Sequence, residues 1–153
     1  MATRSLIVIE EMKEGEKVYN GCYCHWDGYP NNNGKILLNN YTDRERVRKL
    51  ISLGEMSSLG KYISPEECGQ EASKHTFDDP IKDVTVYYGR DRGESDTAPF
   101  ETQNLDPIID DTWAEYVYVF GLDDKWYAMA AGYPAKPLAD VFVRGEGILF
   151  EED

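Results

Sequence analysis

Residues 5–25 read SLIVIEEMKEGEKVYNGCYCH, in which two runs of strand-forming residues flank a short charged segment. Apolar and β-branched side chains fill 5–11, and residues 17–25 alternate between two faces, so we predict a β-strand in each. The segment 12–16 contains Gly15 and predicts a hairpin loop. The chain therefore opens with a β-hairpin.

The second strand of this hairpin runs into a turn with several reactive side chains. Asp27-Gly28 followed by Pro30 is typical of a turn that ends a strand. His25, Trp26, Asp27 and Tyr29 then lie at a strand end, a common position for binding groups. Side chains alternate between faces along the strand. One face carries Val18, Asn20, Cys22 and Cys24, and the other carries Tyr19, Gly21, Tyr23 and His25.

Two short helices follow the turn. Residues 35–41 contain a short apolar run, and 44–53 place apolar side chains at helical spacing, with Asp43 as the predicted N-cap. Gly54 supplies the helix stop.

The later part of the chain contains fewer regular signals. We predict a strand at 83–88 that ends at Gly89, then a long polar segment over 89–112 without secondary structure. Residues 115–130 predict a second hairpin with its turn at 121–124. Gly132-Tyr133-Pro134 breaks its second strand, and we expect an apolar tail to pack back on the core. The tail comprises Leu138, Val141, Phe142, Val143 and 148–150.

These elements predict an α+β fold. At 153 residues the chain fits one domain, 1–153, with a mostly antiparallel sheet and two short helices packed on one face. No run approaches 18 apolar residues, and the first residues lack the pattern of a signal peptide. Three cysteines suit a reducing compartment. We therefore expect a cytoplasmic protein with no membrane association.

The net charge of −13 is unevenly distributed along the chain. Residues 1–60 hold eight Lys or Arg and eight Asp or Glu, whereas 61–153 hold eight and 21. A field of this sign repels phosphate backbones, so we expect no direct binding of nucleic acid. It favours binding to cationic protein surfaces or imitation of nucleic acid, although many soluble proteins are this acidic without a specific reason.

The cysteines do not predict a metal site. Cys22 and Cys24 lie about 7 Å apart on one strand face, which is wide for a shared tetrahedral ion, and His25 projects to the other face. We therefore expect no metal, no cofactor and no catalytic residue, with the cysteines as buried apolar side chains. A nucleophilic pair of Cys68 with His75 or His25 stays open, but no known motif supports it.

The segment 87–94, YYGRDRGE, is the second candidate for ligand binding. Arginine forks suit phosphate and carboxylate groups, and glycines allow close approach of the backbone. The candidate residues are Arg90, Asp91, Arg92 and Glu94, facing His25, Trp26, Asp27 and Tyr29 across a shared pocket. The alternative is a loop in which the two arginines only neutralise neighbouring carboxylates. We expect the aromatic side chains to lie in the core, with an exposed aromatic face that binds bases or a partner protein as the alternative. The set comprises Tyr116, Tyr118, Trp126, Tyr127 and Tyr133, with Trp26 and Trp113.

The strings CHWDGYP (24–30), GKILL (34–38), LGEMSSL (53–59) and GRDRGE (89–94) resemble a family of small phage and prophage proteins. The resemblance covers roughly residues 3–130. It implies an accessory phage gene expressed in the cytoplasm of the bacterial host, and small acidic phage proteins are often similar in role to inhibitors of host defence. It carries over no catalytic residues.

Three hypotheses for function remain. The first is a non-enzymatic inhibitor that docks its carboxylates, in place of phosphates, on a basic nucleic-acid-binding surface of a host bacterial protein. The second is a pocket protein that binds or hydrolyses a phosphorylated nucleotide signal. The third is a structural or interaction domain, and the oligomeric state is left open. The acidic residues of the first hypothesis are Asp78, Asp79, Asp83, Asp106, Asp110, Asp111, Asp123 and Asp124.

Overall fold

Eight strands join in one mixed β-sheet in the computed structural model, which describes residues 2–130 and 133–139. The strands are β1 (Ser5–Lys13), β2 (Glu16–Cys24), β3 (Met56–Ser58), β4 (Val86–Tyr87), β5 (Phe100–Thr102), β6 (Tyr116–Phe120), β7 (Trp126–Ala130) and β8 (Tyr133–Pro137). The helices are α1 (Lys35–Asn40), α2 (Arg44–Ser52), α3 (Tyr88–Arg92) and α4 (Asp106–Thr112), with a π-helical turn at Pro30–Gly34 and 3-10 turns at Pro65–Cys68 and Ala72–Lys74.

The sheet has the order β4-β3-β2-β1-β6-β7-β8, and β5 also pairs with β2. The β1–β6 and β2–β3 pairs are parallel, and the other pairs are antiparallel. The predicted α+β class with a mostly antiparallel sheet is therefore confirmed. No helix of the described residues is long and apolar enough to cross a membrane.

The opening hairpin is confirmed, with a tighter turn than predicted. Its loop shrinks to Glu14 and Gly15, whose φ angles of 53° and 82° match the two-residue turns that suit the twist of a hairpin. The register pairs Ser5 with Cys24 and Lys13 with Glu16. The predicted loop residues on either side therefore extend the strands.

Both faces of the sheet are buried around the central strand β1, because a hydrophobic core packs on each face. Ile7 and Ile9 face one core together with Cys22 and Cys24, as the predicted alternation requires. Helices α1 and α2 cover this first face. The second face has its own smaller core, formed by Leu6, Val8, Leu105, Ala114, Val117 and Val119.

The two predicted helices form where expected. The Asp43 carboxylate accepts a hydrogen bond from the backbone N–H of Arg46 at 3.2 Å, which is the predicted N-cap. Val47, Leu50 and Ile51 are buried against the first face. The prediction of two short helices on one face is correct.

The polar segment 89–112 is more regular than predicted. The strand at 83–88 shortens to β4, and Gly89 lies inside α3 rather than at a strand end. The segment also holds β5 and α4, whose Ile108 and Ile109 pack on the second face. These elements are too short for a periodic signal, and β5 depends on a distant partner. Phe100 pairs with Gly21, where a Cβ would lie 2.7 Å from the Phe100 ring.

The second predicted hairpin is confirmed as β6 and β7. Its second strand ends at Ala130, before Gly132-Tyr133-Pro134 as predicted, and Tyr133–Pro137 then forms the unpredicted strand β8 beside β7. Leu138 is buried in the first-face core. The rest of the predicted tail, 141–143 and 148–150, lies outside the described residues.

Candidate functional site

The turn after β2 is tied to β3 and to β6. The backbone N–H groups of His25 and Trp26 donate to the carbonyls of Met56 and Ser57, at 3.1 and 2.9 Å, and so prolong the pairing with β3. The Tyr118 hydroxyl donates to the Gly28 carbonyl at 2.5 Å from β6. The turn is therefore a fixed platform for its side chains.

A tyrosine–histidine pair lies at this strand end. The Tyr23 hydroxyl is 2.6 Å from His25 Nδ1, because both side chains lie on the same strand face. The Trp26 ring meets the His25 ring edge-on, with ring centres 4.7 Å apart. Burial lowers the pKa of His25, and the positive charge of Arg4 lowers it further. Burial raises the pKa of Tyr23.

Arg4 connects this pair to an exposed tryptophan. Its guanidinium lies 5.9 Å from the centre of the Trp113 ring. Trp113 is 75% exposed and Trp26 is 43% exposed, so the expectation that the aromatic side chains lie in the core is wrong for these two. We call Arg4, Tyr23, His25, Trp26 and Trp113 the aromatic patch.

The importance of Arg4 was missed from the sequence, although a signal exists. The hairpin register pairs Ser5 with Cys24, so its next position brings Arg4 opposite His25. Trp113 carries no comparable signal, because its position depends on where α4 packs.

Replacing Arg4 by glutamine should raise the pKa of His25. The guanidinium disfavours the imidazolium form, so its removal returns the His25 pKa toward the ordinary 6.5. The shift is measured by NMR titration of the His25 ring, with Arg48→Gln on α2 as the control that leaves it unchanged. An unmoved His25 pKa in Arg4→Gln would show that the two side chains do not interact.

The same shift predicts the direction of a stability change with pH. Because the folded His25 pKa lies below that of the unfolded chain, the unfolded chain binds the proton first. The contribution of His25 to stability is therefore full above about pH 6.5 and is lost as the pH falls toward the folded pKa.

The arginine motif does not form the predicted fork for a ligand. Arg90 Nη1 donates to the Ile63 carbonyl at 2.7 Å, and Arg90 Nη2 donates to the Thr85 carbonyl at 2.8 Å. Its Nε and Nη2 also bind Asp91, at 2.9 and 3.0 Å. The guanidinium stacks 4.8 Å from the Tyr87 ring centre. Arg90 therefore links the segments around β4, and these bonds use most of its hydrogen-bond donors.

Asp91 and His75 complete this buried network. The Asp91 carboxylate accepts from the Tyr87 backbone N–H at 2.8 Å and lies 3.4 Å from His75 Nε2. His75 Nδ1 accepts from the Ile81 N–H at 3.0 Å, so Nε2 carries the ring proton and donates to the Thr85 carbonyl. His75 is thus a satisfied core histidine.

Arg92 has different partners from Arg90. It stacks 4.8 Å from the Phe77 ring centre and pairs with Glu94 at 3.3 Å. Beside it is an open depression that Asp78 and Asp91 also line. Two carboxylates in this lining disfavour a phosphate group.

The two predicted ligand motifs are not joined. Within residues 2–130 and 133–139, no hydrogen bond, ion pair or ring contact links 25–29 with 90–94. Asp27 instead lines a cavity of about 350 Å³ with Lys61, Lys82 and Asp83. Tyr29 is exposed.

The cysteines of β2 are inert. Burial raises the pKa of Cys24 to about 12, and burial also raises that of Cys22. In the described part of the chain, no group of three His, Cys, Asp or Glu side chains is placed to hold a metal ion.

The eight aspartates of the acidic hypothesis are all exposed, but they lie on three separate elements. Asp78, Asp79 and Asp83 lie in the loop before β4. Asp123 and Asp124 lie in the β6–β7 turn, where Tyr127 and Arg44 bind them. The Tyr127 hydrogen bond lowers the pKa of Asp123.

The remaining three aspartates, Asp106, Asp110 and Asp111, lie on α4 and form the α4 acidic surface. Among the described residues, no lysine or arginine forms an ion pair with them. Trp113 directly follows the same helix. Exposed carboxylates and an exposed tryptophan therefore adjoin each other here.

No protein-family model, curated protein or solved structure matches this chain.

Proposed function

We propose that this is a non-enzymatic phage accessory protein that inhibits a host defence system by binding a basic, nucleic-acid-binding surface of a host protein. The docking surface is the α4 acidic surface together with Trp113. The observation that carries the proposal is the 75% exposure of Trp113 beside three carboxylates without an ion pair in the described residues.

Trp113 has the properties of an interface anchor. Tryptophan is enriched among the residues that dominate binding energy, because its large rigid ring fills a partner pocket at small entropic cost. Trp113 also has a φ of 59°, in the left-handed region that a bulky residue rarely adopts. Strain at such a position costs about 1–3 kcal/mol, and the packing that the ring gains in return is small, because Trp113 is 75% exposed.

The charge of α4 supplies the complementarity. Asp106 and Asp110 are one helical turn apart, so their carboxylates lie on the same side of α4. Such carboxylates, within a chain of net charge −13, attract a basic surface and speed its encounter. Asp123 and Asp124 contribute less, because Tyr127 and Arg44 already bind them.

The nucleotide hypothesis has less support. Its phosphate forks were Arg90 and Arg92, but Arg90 binds backbone carbonyls and Asp91, whereas Arg92 lies among carboxylates.

The test compares two charge-matched triple variants. One is Asp106→Asn, Asp110→Asn and Asp111→Asn; its control is Asp78→Asn, Asp79→Asn and Asp83→Asn, which removes the same charge elsewhere. Proteins captured from a bacterial host lysate by the wild-type chain are identified, and their affinities are measured at low and high salt. We expect a loss of about tenfold or more for the α4 variant and below about twofold for its control.

Trp113→Ala should weaken the same complex by about 30-fold, the equivalent of about 2 kcal/mol. The captured partner should also be displaced by DNA and released as salt rises. Equal losses in the two triple variants, or an affinity independent of salt, would contradict the proposal and favour a plain structural domain.

A further inference from the structure

We propose that a second site, on the sheet face beside α4, binds a small apolar ligand that carries a cationic group. The site is a cavity of about 420 Å³, within the range of roughly 300–1,000 Å³ that is typical of small-molecule sites. It lies where the cover of α4 ends, and we call it the β7 cavity. It is separate from the proposed docking surface.

The floor of the β7 cavity is apolar. Val119 of β6 and Met129 of β7 project from the second sheet face, and Tyr19 of β2 lies beyond them. Leu105, which precedes α4, forms one wall, and the exposed Leu122 of the β6–β7 turn forms another. An apolar ligand body would remove this surface from water, which is favourable.

The charged groups of the cavity are both carboxylates. Glu10 and Asp123 belong to the lining, and no lysine or arginine of the described residues does. The Tyr127 hydroxyl does not serve a ligand as a donor, because it donates to Asp123 Oδ2 at 2.5 Å. The Leu122 N–H is likewise used, since it donates to Glu10 Oε1 at 3.1 Å.

Two lysines act on these carboxylates from outside the lining, Lys17 on Glu10 and Lys125 on Asp123. The Tyr127 hydrogen bond lowers the pKa of Asp123 most, and the Lys125 charge helps to lower it further. Lys17 Nζ reaches Glu10 Oε2 at 3.4 Å from outside the cavity, and its side chain is half-exposed. Exposed pairs of this kind are weak. A ligand ammonium can therefore approach two carboxylates, whereas a ligand carboxylate is repelled by both.

The experiment uses two probes that differ in charge, 4-phenylbutylamine and 4-phenylbutanoate. The full chain is labelled at its methionine methyl groups and titrated with each probe by NMR. Met129 reports on the cavity, exposed Met12 on non-specific binding, and buried Met56 on the first-face core. Met129→Leu assigns the reporter signal.

We expect the amine to shift the Met129 methyl signal to saturation, with an affinity at least about tenfold above that of the acid. Glu10→Gln with Asp123→Asn should reduce this preference below about threefold, since the amides keep hydrogen-bond acceptors but lose both charges. Ala135→Trp, at the exposed rim, should block both probes. Asp78→Asn with Asp79→Asn is the charge-matched control and should keep the preference.

Three results would overturn the proposal. Equal affinity for the two probes would show that the site does not select a ligand with a cationic group. Equal shifts at Met12 and Met129 would mean non-specific binding. If neither probe shifts the Met129 signal but the signal shifts with protein concentration, the cavity is a contact site between copies of the chain. None of these outcomes bears on Trp113, so the two proposals fail separately.

Discussion

Asp91→Ala is expected to lower the free energy of unfolding by about 2–3 kcal/mol, because it removes the acceptor of the Tyr87 backbone N–H and one partner of a partly buried ion pair. The Asp91 side chain is 5% exposed and accepts from Arg90 and from the Tyr87 backbone N–H. Without it, the guanidinium and this N–H keep their desolvation cost but lose their acceptor.

The loss is measured by urea unfolding near pH 7. Glu94→Ala, just after α3, is the matched control, because both partners of its pair with Arg92 are exposed, and we expect a change of about 0.5 kcal/mol or less. A stable Asp91→Ala protein would mean that the fold does not depend on the Arg90–Asp91 pair, which would leave the Arg90 guanidinium able to pair with another anion. That result would revive the nucleotide hypothesis.

Gly54→Ala is expected to cost about 3 kcal/mol, through two effects that add. Gly54 has a φ of +89°, and a Cβ there would lie 2.0 Å from the Thr97 carbonyl oxygen. That carbonyl cannot easily move, because it accepts the Glu55 N–H at 2.9 Å. Alanine must therefore push the 97–98 segment away from the end of α2.

Gly93→Ala separates the two effects. Gly93 has a similar φ of +77°, but a Cβ there would meet nothing within 4 Å. Only the backbone cost remains, about 1–2 kcal/mol. If the two alanine variants unfold at the same urea concentration, the close approach at Gly54 contributes nothing.

Together these predictions assign most of the arginine motif to the scaffold. Asp91 and Arg90 fasten β4 and α3 to the segments at Ile63 and Thr85. Function then shifts to side chains that the fold leaves in solvent, above all Trp113.

Several parts of the fold were determined by the sequence alone, because their interactions are local. The Glu14-Gly15 turn sets the register of the first hairpin. Continued by one position past Ser5 and Cys24, that register places Arg4 opposite His25. Asp43 caps α2 three residues before its partner N–H. The alternation along β2 sent the cysteines into the core and brought Tyr23 beside His25.

Only the tertiary structure determined the short elements in the middle of the chain and the side chains that remain available for binding. Helices α3 and α4 are too short to leave a periodic signal, and β5 exists because Phe100 finds Gly21. The local sequence predicts that Arg90 binds phosphate. In the fold its guanidinium instead donates to the Ile63 carbonyl, 27 residues away in the chain. The exposure of Trp113 depends on where α4 packs against β1 and β6. Local sequence determines the turns and the helix caps. Contacts between segments that are distant in the chain determine which hydrogen-bond donors remain available to a ligand.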